Sequence, residues 1–209
     1  MQSPGSIIIL NGASSAGKTS LGKALQEVLT PTYMLLGIDI FWLALPPSQL
    51  DLDKVTAECY TWGYEDVDGN KYFRVRPGPI LDAAMKARFH AVRQYLERGL
   101  SVVADEVFWS FDWVLESAKA FAGFDAYLIG VYCDENELDR RETERGDRAT
   151  GWGRGSQYFA HKNMQYDLTV DTTHKTSNEC AHQIKSAIEA GLKPKALNLL
   201  AEQPLRTVI

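Results

Sequence analysis

Cysteine is scarce in this 209-residue chain, and its three occurrences, Cys59, Cys133 and Cys180, are widely spaced with no C-x-x-C pair. Neither a disulfide framework nor a thiolate zinc site is therefore expected, and a reducing cytoplasm is the simplest setting. Long apolar runs are also missing. The hydrophobic stretches are strand-sized and stop well short of the ~18 residues that would suggest a membrane span. Basic residues are outnumbered, 22 Lys and Arg against 27 Asp and Glu, for a net charge of -5. That balance argues against a broad nucleic-acid or anionic-membrane surface, while a local basic pocket for phosphate stays open. The first six residues show no basic region followed by an apolar core, so no export signal is expected. His161 and His174 lack ligand-spaced partners, and both are read as structural or surface histidines. There is no internal repeat and no Asn/Thr-Lys-x-Asp guanine-reading sequence.

What remains is ordinary globular composition, 45% hydrophobic and 23% charged, in a length that suits one α/β domain. Ile7-Ile8-Ile9-Leu10 is a β-branched run suited to a parallel strand covered on both faces. Leu21, Ala24, Leu25 and Val28 predict a helix over 18–29, stopped at Pro31. Strands are expected at 33–37, 101–105, 126–133 and 168–171. Helices are expected at 111–121, 135–145 and 178–190, with another marked by Leu81, Met85, Phe89, Val92 and Leu96. The alternation predicts a five-stranded parallel sheet with helices on both faces. Residues 41–79 break it: they are rich in aromatics, carry an Asp68-Gly69-Asn70 turn signal, and read as an insertion with its own role. Residues 191–209 read as an appended tail.

Between the first strand and first helix stands Gly12-Ala13-Ser14-Ser15-Ala16-Gly17-Lys18-Thr19. A polyphosphate needs several converging donors and no bulky side chain in the way. Gly12 and Gly17 permit close backbone approach, the helix start presents unpaired N–H groups through Ser20, and Lys18 bridges the outer phosphates. Thr19 is the expected magnesium-side hydroxyl. The flanking strand and helix make this a P-loop rather than a Gly-rich turn, and short chain length favours a small kinase.

In such sheets ligands sit beyond the carboxyl ends of the strands, where Asp39 and the Asp105-Glu106 pair are expected. Asp105 follows Val102-Val103-Ala104 and is the candidate metal-holding carboxylate. Asp39 is the candidate group that accepts an acceptor hydroxyl's proton and holds its oxygen in line, against an alternative as a helix N-cap. Glu106 faces either substrate or solvent. Arg140, Arg141, Arg145 and Arg148 fall within nine residues. Arg141 and Arg145 share a helix face and are candidates to neutralise transferring phosphate, with Arg148 as a nucleotide contact. The glycines at 146, 151, 153 and 155 suggest a lid over 141–157.

Taken together, Ile8 to Thr19, Gly37-Ile38-Asp39, Asp105-Glu106-Val107-Phe108, Gly130 to Asp134, Arg141 to Arg148, His161, Tyr166-Asp167 and Val170 to Lys175 resemble the chloramphenicol phosphotransferase-like family of P-loop kinases. The resemblance spans most of residues 6–190. It implies ATP as donor, magnesium, and a hydroxyl on a small organic molecule as acceptor, with chloramphenicol or a related antibiotic as one instance. It maps the family's base onto Asp39 and its phosphate-contacting arginines onto Arg141, Arg145 and Arg148. Residues 41–79 match almost nothing, so the acceptor stays open. A nucleotide, sugar or nucleotide-sugar kinase, and an ATP-responsive binding module without transfer, are the alternatives.

Overall fold

The computed structural model describes residues 3–146 and 149–202. Seven strands and nine helices run in the order β1 (Ile7–Gly12), α1 (Lys18–Val28), β2 (Tyr33–Gly37), α2 (Ile38–Trp42), α3 (Pro47–Leu50), β3 (Tyr60–Val67), β4 (Asn70–Pro77), α4 (Pro79–Glu97), β5 (Ser101–Glu106), α5 (Phe111–Ala120), β6 (Ala126–Tyr132), α6 (Glu135–Arg145), α7 (Trp152–His161), β7 (Leu168–Asp171), α8 (Ser177–Glu189) and α9 (Ala196–Ala201) among the described residues. Five strands form one parallel sheet in the order β2-β5-β1-β6-β7. From β1 the chain runs to the edge strand β2, returns to β5 beside β1, and then crosses to β6 and β7 on the other side. The carboxyl end of β1 is therefore a topological switch point, where such sheets open a crevice for ligands.

Every residue of β1 is buried, as a central strand covered on two faces requires. Its side chains alternate between two cores. Ile7 and Ile9 pack with α4, α5 and α9, whereas Ile8 and Leu10 pack with Leu21 and Leu25 of α1 and Ile184 of α8. The apolar stripe of α4 is buried at each of the five positions marked by its spacing, and Pro79 occupies its first turn, where a missing N–H costs nothing. Thr176 and Glu179 close a reciprocal capping box on α8.

Residues 41–79 are more regular than their composition suggests. They contain α3 and an antiparallel β3–β4 hairpin, turning at Asp68 (φ 53°) and Gly69 (φ 81°), as a two-residue hairpin loop demands. Phe73 and Val75 of β4 are buried in the α4 and α5 core. The segment is thus part of the domain's packing.

The expectation of an appended tail also needs correction. Ala196, Leu197 and Leu200 of α9 are buried and pack against α5 and β6, so the chain contributes to the core as far as Leu200. The glycines of the expected lid divide in function. Gly153 and Gly155 lie inside α7, which packs on β4. A Cβ on Gly155 would fall 1.8 Å from the Phe73 carbonyl oxygen, so this glycine permits close approach of helix and strand. No described helix is long and apolar enough to cross a membrane.

Candidate active site

A cavity of about 390 Å³ opens at the switch point. Ser14, Ser15, Gly17, Lys18, Thr19 and Ser20 line it. Gly12, Ala13 and Ala16 lie beneath the loop and shape it. A Cβ on Gly12 would meet the Val131 carbonyl at 2.4 Å, and the two alanines are fully buried. The turn into α1 uses left-handed backbone at Ser15 (φ 64°) and Gly17 (φ 81°), with the Ala16 amide between them donating to the Ala13 carbonyl at 3.3 Å.

The loop is held from three sides by distant elements. Thr172, after β7, donates its hydroxyl to the Ala16 carbonyl at 2.8 Å. Arg141 of α6 donates to the Thr172 carbonyl at 2.7 Å and to Glu137 at 2.7 Å. Its Nη1 would lie 3.6 Å from a Cβ placed on Gly17. The Ser14 amide donates to Ser156 Oγ of α7 at 2.9 Å. Arg140 and Arg141 together hold the Glu137 carboxyl down to about 2, so it stays charged as their anchor.

Lys18 is 6% exposed, an unusual position for an ammonium unless it is paired. Its Nζ donates to the Ala13 carbonyl at 2.7 Å and lies 3.5 Å from Asp105 Oδ1. Thr19 Oγ1 donates to Asp105 Oδ2 at 2.5 Å. The β2–β5 pairing brings Asp39 beside this group. Gly37 stands opposite Asp105 in register, and any Cβ there would sit 2.4 Å from the Asp105 carbonyl oxygen. That crowding makes glycine necessary just ahead of Asp39. Asp39 lies in the first turn of α2 and lines the cavity, and α2 has no side-chain cap. The N-cap alternative does not describe it.

Arg145 lines the same cavity beside Arg141, whereas Arg140 is laced to Glu137 and Glu144 on the helix surface. Arg148 falls outside the described residues. The α6 and α7 helices are fastened together: buried Glu142 accepts from the Gly151 and Gly153 amides at 2.7 and 2.6 Å, and Arg154 forks onto Asp139. Glu106 faces neither substrate nor solvent. It is 2% exposed and meets the wholly buried guanidinium of Arg88 at 2.6 Å.

The rest of the cavity is aromatic. Trp42, Trp109 and Trp152 line it with Ile38 and Val107. Trp42 meets Trp109 edge-on at 5.2 Å, and Trp152 stacks on Phe73 at 4.7 Å. The sequence drew attention to aromatics only within residues 41–79. Trp109 and Trp152 come from the β5–α5 connection and α7, and no local pattern joins them to Trp42. Behind the loop, Asn11 is fully buried and holds three elements together. It donates to the Ala160 carbonyl and the Tyr166 hydroxyl, both at 2.8 Å, and accepts from the Phe108 amide at 3.0 Å. The Tyr166 hydroxyl also meets His161 Nδ1 at 2.5 Å. Burial pushes the His161 imidazole down to about 4 and the Tyr166 phenol up. A neutral imidazole accepting from a protonated phenol follows.

A parallel sheet of this order, a strand-loop-helix phosphate cradle at its switch point, and a carboxylate facing the loop's lysine and threonine define a P-loop kinase. The chain belongs to the chloramphenicol phosphotransferase-like family, whose pattern it matches over residues 5–189. It is 45% identical over 200 residues to a protein of Mycobacterium tuberculosis strain H37Rv whose name proposes O-phosphotransferase activity, covering 95% of this chain and 89% of that one. Among solved structures, the fold resembles that of Mycobacterium tuberculosis APS kinase in complex with AMPPNP and APS, with a TM-score of 0.61 at 14% identity over 90% of this chain and 99% of that one. It also resembles a gluconokinase from Sinorhizobium meliloti, with a TM-score of 0.55 at 15% identity over 98% and 100%. The chain is accordingly a kinase of the phosphotransferase type.

Proposed function

We propose that this protein transfers the γ-phosphoryl group of ATP to a hydroxyl of a small organic molecule, with Asp39 as the base that orients the hydroxyl. The observation that carries the proposal is that Asp39, Lys18, Thr19 and Asp105 open onto one cavity, which continues from the phosphate loop to a wall of three tryptophans. Phosphoryl transfer asks little covalent chemistry of a protein and much positioning. Amides of Gly17 to Ser20, at the start of α1, cradle the phosphates, with Lys18 released from the Ala13 carbonyl to meet the outer oxygens. Arg141 and Arg145 face charge that spreads over the transferring group. Arg148 is a further nucleotide contact on the family resemblance.

Thr19 and Asp105 form a hydroxyl and carboxylate pair of the hard-oxygen type that suits magnesium, with water and phosphate completing its shell. When bound, the ion supplies charge neutralisation at the phosphate oxygens. The tryptophan wall offers stacking area, which favours a planar or amphiphilic acceptor such as an aromatic antibiotic, chloramphenicol included. Three buried cysteines, each without a disulfide, support a cytoplasmic location.

The test measures ATP consumption against hydroxylated antibiotics, nucleosides and sugars, with products confirmed by mass. Asp39→Asn is expected to lower turnover by about 10²- to 10⁴-fold while retaining ATP binding. Lys18→Ala is expected to impair both. Full turnover in Asp39→Asn removes the assigned base, and ATP binding with no product from any acceptor favours a binding module.

A further inference from the structure

A second cavity, of about 500 Å³, is built from β4, the start of α5 and the end of α7. No phosphate-loop residue reaches it, and Trp109 is the residue that borders both cavities. Its β4 wall carries an unbalanced cationic group. Arg74 Nη1 and Arg76 Nη2 each donate to the same oxygen of Glu65, at 2.6 Å in both cases. One carboxylate thus serves two guanidiniums, and among the described residues each spends a single donor on it. The remaining donors keep the planar fork that suits a carboxylate or phosphate.

Lys162, exposed at the end of α7, adds a third cation to the lining. Partial burial opposes ionisation of Glu65, yet Arg74, with Arg76 and Lys162 beyond it, holds the carboxyl below its usual range. The apolar part of the cavity is aromatic. The Arg74 guanidinium lies 4.3 Å over the Phe159 ring, which fixes its plane, and Trp109 and Phe111 line the cavity beside it. Asp112 lies on the α5 wall. Its charge repels a second anion there, so an anionic group is directed toward β4.

We infer that this cavity is a binding site, separate from the phosphate-transfer pocket, for an aromatic organic anion. The ring lies against Trp109 and Phe111, and the carboxylate or phosphate is held by Arg74, Arg76 and Lys162. The inference does not depend on which acceptor is phosphorylated. Because Trp109 belongs to both walls, an occupant here touches the same side chain that borders the acceptor side of the first pocket.

The test uses isothermal titration of the full chain, saturated with a non-hydrolysable ATP analogue, with 2-naphthoate as the anion and 2-naphthamide as its neutral isostere. 2-Naphthoate is expected to bind at one equivalent, about tenfold or more tighter than the amide, as charge-assisted hydrogen bonds imply. Arg76→Gln and Lys162→Gln, both at exposed positions, are each expected to weaken it about three- to tenfold with unchanged circular dichroism. Equal affinity for acid and amide, displacement by the ATP analogue, indifference to both substitutions, or no binding at millimolar 2-naphthoate would each overturn the inference.

Discussion

The contact of α7 with β4 places Trp152 at the active-site cavity and Ser156 against the Ser14 amide, and it depends on Gly155 having no side chain. An ideal Cβ at 155 would lie 1.8 Å from the Phe73 carbonyl oxygen, 2.7 Å from its carbon and 2.8 Å from its nitrogen. All three atoms are backbone in a paired strand, so none can swing aside. A carbon-to-oxygen contact needs ~3.3 Å, so Gly155→Ala must move α7 and β4 apart by about 1.5 Å. That separation disrupts the stacks of Trp152 on Phe73 and Tyr158 on Tyr72, each with centroids 4.7 Å apart. Each stack is worth about 0.5–1.5 kcal/mol, and overpacking adds about 1–3 kcal/mol, against ~1 kcal/mol gained from replacing glycine in a helix. The expected net loss is about 1–5 kcal/mol, or roughly 2–20 °C in Tm for a domain of this size. Gly153→Ala is the control. It has the same helical gain, but its nearest neighbours lie at 3.4 Å, so its Tm should stay within about 2 °C of the parent or rise slightly. Differential scanning fluorimetry decides the matter, with ATP affinity as a second readout because Ser156 holds the Ser14 amide. Equal Tm values for the two variants would refute the reasoning.

Glu106→Gln should cost about 3–5 kcal/mol in urea unfolding, because it leaves the Arg88 guanidinium buried without a counter-charge. The double substitution Arg88→Met with Glu106→Leu should recover most of that loss. No recovery would mean that the pair does more than neutralise itself. For His161, the folded imidazole titrates near 4 and the unfolded one near 6.5, so the unfolded chain binds the extra proton between those values. Stability from this group is therefore present above about pH 6.5 and is lost as pH falls toward 4, by up to about 3 kcal/mol. Unfolding at pH 5 and pH 7 should show a smaller difference in His161→Gln than in the parent, and an equal difference would remove the assignment.

Much of the sheet was legible because each strand is a short apolar run and each helix a 3.6-residue stripe, patterns set within ten or twenty residues. The hairpin at 60–77 was harder to read. Its only local signal was Asp68-Gly69, and the one-face burial of Phe73 and Val75 became visible only against α4. The Arg-rich helix shows the same limit. Arg140 and Arg141 are neighbours with similar sequence surroundings, yet one is laced to surface glutamates and the other reaches Thr172 beside the loop. Helix phase against the rest of the fold separates them. Glu106 invited a choice between substrate and solvent because its partner Arg88 lies 18 residues earlier on another element.

The phosphate loop is legible from local sequence, since Gly12 to Thr19 with its strand and helix is a contiguous unit. Local sequence also placed Asp39 and Asp105 at strand ends. What surrounds them is set by elements distant in the chain. The clasp of Ser156 on Ser14 and of Thr172 on Ala16 joins residues 142 and 156 positions apart, and Trp42, Trp109 and Trp152 meet from three separate segments. Such contacts depend on strand order and helix docking across the switch point, and no local period in the chain encodes them.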